Sequence, residues 1–152
     1  LILTTAAGEK RLMTYESLSD GGFASGTMLG SGGFVVMDET TCIVHNTLTF
    51  AKFYHHESCG QCSPCREGTG WMDKVINRIE HGQGRKEDID LLVDVAKKIE
   101  GNTICPLGDA ASWPVAAAIR HFRDEFEWHI EHPELATKPG AVFMREGASW
   151  TK

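Results

Sequence analysis

Four cysteines form the clearest chemical pattern in this sequence. Cys59, Cys62 and Cys65 follow one another at intervals of three residues, and Cys105-Pro106 comes after 39 intervening residues. A [4Fe–4S] cubane needs one thiolate for each of its irons, and a C-x₂-C-x₂-C run with a distant Cys-Pro is typical of its ligands. The spacing therefore predicts a [4Fe–4S] cluster with four metal ligands, Cys59, Cys62, Cys65 and Cys105.

The residues around the first three cysteines suit a tight ligand loop. Gly60 permits a sharp turn of the backbone, and Pro64 fixes φ immediately before the third cysteine. Backbone N–H groups of this loop, and the positive end of the helix expected to follow it, both favour an anionic cluster. Arg66 either offsets the negative charge that reduction adds or forms a surface pair with Glu67 or Glu57.

A zinc site is the first alternative for these cysteines. Structural Cys₄ zinc sites prefer two separated C-x₂-C pairs, and three cysteines in one run would strain a zinc ion or leave a sulfur idle. His55 and His56 could complete a mixed site, although adjacent histidines at a helix end are usually solvated. A thioredoxin-like redox pair is disfavoured, because no βαβ pattern surrounds the motif.

The other cysteine and the other histidines give no ligand pattern. The chain has five cysteines, an odd number that disfavours a secreted disulfide scaffold and indicates a reducing compartment. Cys42 stands apart and is interpreted as a small buried hydrophobe on the first helix. The histidines without ligand spacing to the cysteines are His45, His81, His121, His129 and His132.

The composition is that of an ordinary soluble globular protein, with 41% apolar and 24% charged residues in 152. A net charge of −6 argues against a nucleic-acid partner, because a phosphate backbone requires a basic face. No run of about 18 apolar residues could span a bilayer, and the first residues lack the basic segment of a secretory signal. The chain begins with Leu1 and not with Met, so we expect a fragment of a longer protein.

The elements that must position the cysteines fall into three predicted segments. Residues 1–39 are rich in Gly, Ser and Thr, with β-prone runs at 1–4 and 33–37, and are expected to be the end of a β-rich domain. Residues 40–132 have helical periodicity and predict a four-helix bundle, so the fold class is α+β. Residues 133–152 have little periodicity and predict an extended arm.

Each predicted helix has terminal signals and an apolar face. Asp38, Thr40 and Thr41 offer caps to the first helix, and the fourth is expected to begin between Asp109 and Pro114, with the proline in its first turn. The predicted apolar faces, helix by helix, are Ile43, Val44, Leu48, Phe50, Ala51 and Tyr54; Trp71, Met72, Val75, Ile76 and Ile79; Ile89, Leu92, Val93, Ala96 and Ile99; and Val115, Ile119, Phe122, Phe126 and Ile130. The two cysteine segments then connect helices one to two and three to four, at one end of the bundle.

Three segments resemble one protein family. The run HESCGQCSPCREGTGW at 56–71 looks like the cluster loop of the NADH-binding flavoprotein subunit of respiratory complex I, the NADH-quinone oxidoreductase. The run IEGNTICPLGDAASWP at 99–114 resembles the segment with that family's fourth ligand. The run MLGSGGFVVMDE at 28–39 is similar to the exit from the family's soluble-ligand-binding β-grasp domain. Two small departures, Ser63 for the more frequent Thr and Pro106 for Ala, remove no ligand.

The resemblance covers about residues 10–131 and implies a specific role. In that family NADH gives a hydride to FMN, which passes single electrons to this cluster. The electrons continue to iron–sulfur centres of partner subunits in the peripheral arm, a small thioredoxin-like subunit and a large multi-cluster subunit. The arm lies on the cytoplasmic or mitochondrial-matrix side of the membrane. Leu107 is expected to lie against the flavin.

The resemblance also limits what this chain alone is expected to do. The FMN- and NADH-binding domain of the family lies upstream and is absent from this sequence, so we expect an electron carrier that does not oxidise NADH itself. Two other functions remain open: the same module in a soluble NAD-linked hydrogenase or formate dehydrogenase, and a structural zinc module that serves as an interaction platform.

Overall fold

The computed structural model describes residues 2–4, 10–12 and 41–136, and the chain divides into two units, residues 1–38 and 39–152. In the first unit, strands β1 (Ile2–Thr4) and β2 (Lys10–Leu12) pair in antiparallel register. β1 falls within the first predicted β-prone run, whereas β2 was missed.

The β-grasp assignment of the first unit is not established by this pair of strands. A two-stranded ladder is too small to define a domain fold. The second β-prone run, at 33–37, lies outside the described residues. The end of a β-grasp domain at residues 1–39 therefore stays a prediction.

Within residues 41–136, the second unit contains four long helices and one short helix: α1 (Ile43–Glu57), α2 (Ser63–Glu80), α3 (Lys86–Ile99), α4 (Leu107–Glu131) and α5 (Pro133–Ala136). Consecutive long helices pack side by side, α4 packs back on α1, and α2 also contacts α4 across the bundle. Short connections make neighbouring helices antiparallel. The predicted helical bundle is confirmed for the described residues.

The segment predicted as an extended arm begins with helical residues. Pro133–Ala136 form α5, and proline is well tolerated in the first turn of a helix because its missing N–H has no intrahelical partner there. The expectation of an extended backbone is wrong for these four residues. The division of the chain at 39 and 132 stays a prediction.

The core lies between the four long helices and follows the predicted apolar faces closely. Trp71 is the exception, because its side chain is 53% exposed while its neighbour Met72 is fully buried. Adjacent helix positions point about 100° apart, so Trp71 cannot share the narrow face that faces the bundle. The predicted residues that are buried are Val44, Leu48, Ala51, Met72, Ile76, Ile79, Ile89, Leu92, Ala96, Ile99, Val115, Ile119 and Phe126.

Two helix starts differ from the prediction. The residue that caps α1 is Cys42, whose Sγ accepts a hydrogen bond from the His45 amide at 3.4 Å, so the prediction of a cap at Asp38, Thr40 or Thr41 is wrong. α4 begins at Leu107, because the Ala110 amide already donates to the Pro106 carbonyl at 2.9 Å. Pro114 consequently lies inside α4 and not in its first turn.

An ion pair fastens α2 to α3 at the end where the α2–α3 connection lies. Asp88 is 3% exposed, accepts a hydrogen bond from the Arg85 amide at 2.8 Å, and receives Arg78 Nε at 3.0 Å. The Asp88 carboxylate therefore caps the start of α3 and also forms an ion pair with Arg78 of α2.

At the opposite end, α2 and α3 approach closely at a glycine. A Cβ on Gly68 would lie 2.6 Å from both Cγ1 and Cδ1 of Ile99, a side chain that is 1% exposed. The isoleucine fills the space that a side chain at position 68 would need. Glycine is thus required here by packing, although it is a poor helix former.

We expect Gly68→Ala to destabilise the bundle by about 1–3 kcal/mol, the usual cost of overpacking a well-filled core. Gly70→Ala is the matched control in the same helix, because its Cβ would lie 3.1 Å from the Nε2 of a half-exposed His55 side chain that can move aside. That control should keep or gain stability through helix propensity, by up to about 1 kcal/mol. The measurement is the apparent melting temperature at one scan rate, and equal shifts for both variants would contradict the packing argument.

Candidate metal centre

Two loops that carry the four predicted ligands meet at one end of the bundle, here called the cysteine end. Residues 58–62 connect α1 to α2, and residues 100–106 connect α3 to α4. Alternating helix directions place both connections at the same end. The Ile104 amide of the second loop donates to Cys62 Sγ of the first at 3.4 Å. The structure thus joins sequence segments that are 42 residues apart.

The four cysteines range from the interior to the surface of this end. Cys65 lies in the first turn of α2 and is 6% exposed, Cys62 is half-buried, and Cys59 and Cys105 are exposed. All four are free thiols. The cysteine end therefore offers four thiol ligands, each in one of the positions that the sequence predicted.

The backbone of the first loop makes the sharp turn predicted at Gly60. Gly60 has φ of +78°, in the left-handed region that residues with a Cβ rarely adopt. Cys62 is the N-cap residue of α2, and Pro64 occupies its first turn. The positive end of an 18-residue helix therefore points towards this loop, which favours negatively charged thiolates there.

A serine hydroxyl contacts one of the cysteine sulfurs. Ser58 Oγ lies 3.3 Å from Cys65 Sγ and accepts a hydrogen bond from the Gly60 amide at 3.4 Å. Either atom of this pair can donate when Cys65 is a thiol, whereas a Cys65 thiolate has no proton and could only accept from the hydroxyl. The sequence-based interpretation expected sulfur contacts from backbone amides of this loop, and it missed both Ser58 and the Ile104 amide.

The second loop is held against the start of α4. The Gly101 amide donates to Asp109 Oδ1 at 2.7 Å, and Thr103 Oγ1 donates to the Cys105 carbonyl at 2.9 Å. A Cβ on Gly108 would lie 2.5 Å from Thr103 Oγ1, so the loop packs tightly on the helix. These contacts fix the backbone immediately before and after Cys105.

Arg66 and Leu107, the two other predicted site residues, also lie at the cysteine end. Arg66 Nη1 donates to the Gly60 carbonyl at 2.9 Å, and its Nε donates to Glu67 Oε1 at 2.8 Å. The surface pair with Glu67 is thus present, and the same guanidinium holds the glycine turn. Leu107 is the first residue of α4 and is half-buried.

A closed zinc site at the loop cysteines would require their four sulfurs to lie close together. Zinc–sulfur bonds of about 2.3 Å in a tetrahedron would place the sulfurs within about 3.8 Å of one another. Within residues 41–136, the only three ligand-type side chains with atoms all within 4.8 Å of one another are Cys42, Glu80 and His129. Among the described residues, the loop cysteines form no such group.

Cys42 lies at the opposite end of the bundle, in a polar group that sequence reasoning missed. It is 9% exposed, as expected for a buried cysteine, but its Sγ lies 3.3 Å from His129 Nε2. Burial raises the pKa of Cys42 to about 12, and it lowers the pKa of His129. Burial also raises the pKa of the neighbouring Glu125 carboxyl. No spacing signal could have revealed a pair that is 87 residues apart.

Comparisons with known proteins cover most of the helical unit. The NADH-ubiquinone oxidoreductase-F iron-sulfur binding region matches residues 45–129. An NADH-quinone oxidoreductase subunit of Rickettsia bellii is 52% identical over 119 residues, which are 78% of this chain and 28% of that protein. The corresponding NADH-quinone oxidoreductase subunit of Rhizobium meliloti is 48% identical over 132 residues, 86% of this chain and 30% of that protein.

A solved structure is also similar. The crystal structure of an NAD⁺-reducing [NiFe]-hydrogenase in the H₂-reduced state aligns with a TM-score of 0.59 and 34% identity. The alignment covers 62% of this chain and 16% of the hydrogenase chain.

The fold and the cysteine end define a helical iron–sulfur protein. The chain belongs to the family of the NADH-ubiquinone oxidoreductase-F iron–sulfur binding region, whose match includes all four loop cysteines. This confirms the predicted family resemblance and the 4Fe–4S cofactor. The chain spans only about 28–30% of the length of these two oxidoreductase relatives. Among the described residues, no helix has the length and apolar character needed to cross a membrane.

Proposed function

We propose that this chain transfers electrons through a [4Fe–4S] cluster as part of an NADH:quinone oxidoreductase. The observation that carries the proposal is the meeting of two cysteine-bearing loops, joined by the hydrogen bond from Ile104 to Cys62 Sγ. Both loops lie within the segment that matches an iron–sulfur binding family. The proposed ligands are Cys59, Cys62, Cys65 and Cys105.

The residues of the cysteine end have distinct tasks in this proposal. When bound, the cluster supplies a centre that takes up and releases single electrons. The four thiolates hold the irons, and the Ile104 amide and the Ser58 hydroxyl donate to ligand sulfurs. The N-terminus of α2 favours the negative charge. Hydrogen bonds to sulfur and local charge are among the features that set a cluster's reduction potential.

Arg66 and Leu107 have supporting roles in the proposal. Arg66 holds the Gly60 turn through its hydrogen bond to the carbonyl, and its positive charge lies close to the ligand loop. It therefore lowers the cost of adding an electron while it positions Cys59 and Cys62. Leu107 directly follows Cys105-Pro106, and we propose that it lies on the side from which the flavin approaches.

The names of the relatives support a proposal for the direction of electron flow. They are named as subunits of NADH-quinone oxidoreductase, so we propose that electrons come from NADH through reduced FMN, bound by the parent protein. They continue to the clusters of the small thioredoxin-like and the large multi-cluster subunits of the peripheral arm, on the cytoplasmic or matrix side. The chain contributes the electron relay to that enzyme.

An NAD-linked hydrogenase is the second candidate for the parent protein. The similarity to the NAD⁺-reducing [NiFe]-hydrogenase favours it, at 34% identity. Identities of 48–52% to the quinone oxidoreductase subunits favour complex I over the hydrogenase. In either parent, the four cysteines and the cluster perform the same electron transfer.

The proposal is tested by EPR spectroscopy of the anaerobically purified chain before and after dithionite, with iron and acid-labile sulfide assays. We expect a silent oxidised sample that gains a fast-relaxing signal on reduction, with about four irons and four sulfides per chain. A chain that contains no iron and stays silent after reduction would contradict the proposal.

The proposed fourth ligand gives a sharper test. Cys105→Ala should lose the cluster and lower the apparent melting temperature, because metal binding that joins two loops contributes its free energy to folding. Cys42→Ala is the matched control and should retain the iron and sulfide of the parent. An unaltered melting temperature in a cluster-free Cys105→Ala variant, or full iron content in that variant, would count against the assignment.

The Ser58 hydroxyl should tune the cluster. Ser58→Ala removes the donor to Cys65 Sγ and should lower the midpoint potential, because hydrogen bonds to a ligand sulfur stabilise the more negative reduced state. Ser63→Ala, at an exposed position at the start of α2, is the control. A potentiometric titration followed by EPR measures both, and an unchanged midpoint in Ser58→Ala would show that the hydroxyl does not donate to the cluster ligand.

A further inference from the structure

A second group of ligand-type side chains lies at the end of the bundle opposite the cysteines, here called the far end. Cys42 caps α1, Glu80 is the last residue of α2, and His129 lies near the end of α4. The cysteine sulfur, one carboxylate oxygen and one imidazole nitrogen all lie within 4.8 Å of one another. Three helices thus direct one ligand each towards a common point.

Two atoms of this group have no hydrogen-bond partner. Within the described residues, His129 Nδ1 and Glu80 Oε2 are buried without one, and they lie 4.0 Å apart, too far for a hydrogen bond. His129 is 1% exposed, and the Glu80 side chain is 12% exposed. Buried polar atoms are nearly always paired, so two unpaired atoms that face each other indicate a missing third group.

We propose that Cys42, Glu80 and His129 bind one divalent cation of the zinc class. A sulfur, an imidazole nitrogen and a carboxylate oxygen form a ligand set that zinc accepts, whereas Mg²⁺ and Ca²⁺ prefer oxygen ligands only. Bonds of about 2.0–2.3 Å in a tetrahedron place ligand atoms about 3.3–3.8 Å apart. The 4.0 Å from His129 Nδ1 to Glu80 Oε2, the two unpaired atoms, is close to that spacing, and one ligand atom from each of the three residues lies within 4.8 Å of the others.

The surroundings of the three side chains support a cation. His45 Nδ1 lies 2.9 Å from the other oxygen of Glu80, so the carboxylate is oriented by a second histidine, as metal-bound carboxylates commonly are. Glu125 is 7% exposed, lies beside the Cys42 thiol, and accepts the Ile43 amide at 2.7 Å. It brings a second carboxylate to the far end. A cation offsets the charge of both carboxylates.

The alternative is a polar contact without an ion. In that case the group would be held together by the hydrogen bond between Cys42 Sγ and His129 Nε2 and by the contact of His45 with Glu80 Oε1. That arrangement explains neither the unpaired Nδ1 of His129 nor the unpaired oxygen of Glu80. The two possibilities differ in one measurable property, which is the binding of zinc. The proposal does not depend on the role of the cluster at the cysteine end.

The test uses the chain with its iron–sulfur cluster in place. The protein is incubated anaerobically with Zn²⁺ and desalted, and its metals are counted by mass spectrometry. X-ray absorption at the zinc edge then identifies the ligands. We expect one zinc per chain with a single sulfur and nitrogen or oxygen ligands, at an unchanged iron content. A chain that retains no zinc, or zinc in an all-sulfur environment at the expense of iron, would overturn the proposal.

Substitutions of the three proposed ligands test whether they bind the zinc ion. Cys42→Ala, His129→Gln and Glu80→Gln should each weaken zinc binding about tenfold or more, since even residues that only orient metal ligands have effects of about 10–100-fold. His81→Gln, an exposed position directly after Glu80, is the control and should bind like the parent. Glu80→Gln preserves the side-chain volume, so the test holds even where another variant fails to fold. Unchanged affinity in Glu80→Gln and His129→Gln would overturn the assignment.

Discussion

The close packing of α2 on α3 at Gly68 and Ile99 determines where the cysteine-bearing loops lie relative to each other. Gly68 comes one turn after Cys65, and Ile99 is the last residue of α3, just before the loop of Cys105. Because Ile99 occupies the space of a side chain at position 68, the two backbones can approach closely there. A wider separation of the helices would move the first three cysteines away from the fourth. The candidate site therefore depends on the buried contact beneath it.

The two ends of the bundle both carry cysteines, but they differ in how negative charge on a sulfur can be stabilised. At the cysteine end, Cys59 and Cys105 are exposed, and the ligand loops supply N–H and O–H donors to sulfur. At the far end, Cys42 is buried, and its raised pKa reflects the cost of a thiolate away from water. A thiolate at the far end would thus need a cation beside it to stabilise its negative charge. At the cysteine end, solvent also stabilises the charge of the exposed thiolates.

Local signals allowed much of this structure to be predicted. The cysteine spacing predicted that the ligand candidates and both their loops belong to one site, because that motif is short and specific, and the two loops do meet at one end of the bundle. Helical periodicity identified the core positions such as Leu48, Ile76 and Ile119, since one face of each helix must be apolar. Gly60 was correctly predicted to form a sharp turn, because a turn with positive φ favours glycine over residues with a Cβ.

The features that were missed depend on contacts between distant segments. The predicted caps of α1 were Asp38, Thr40 and Thr41, because carboxylate and hydroxyl caps are common, but the sulfur of Cys42 takes that role, next to His129 from the last long helix. Pro114 suggested a helix start, but the helix begins at Leu107, against the loop that Thr103 and Gly108 fix in place. Neither outcome is encoded in a window of neighbouring residues, since each is decided by tertiary packing.

The exposure of the ligands bears on how a cluster at the cysteine end would work. Cys65 anchors one side to the bundle, while Cys59, Cys105 and the 87% exposed Ile104 lie at the surface. Adding an electron to a fully buried cluster would carry a large desolvation cost, and a fully exposed cluster would lack fixed donors. A cluster held by these four cysteines would be half-embedded, which avoids both extremes. The apolar core around Met72 and Phe126 then supports the loops without having to accommodate the changing charge.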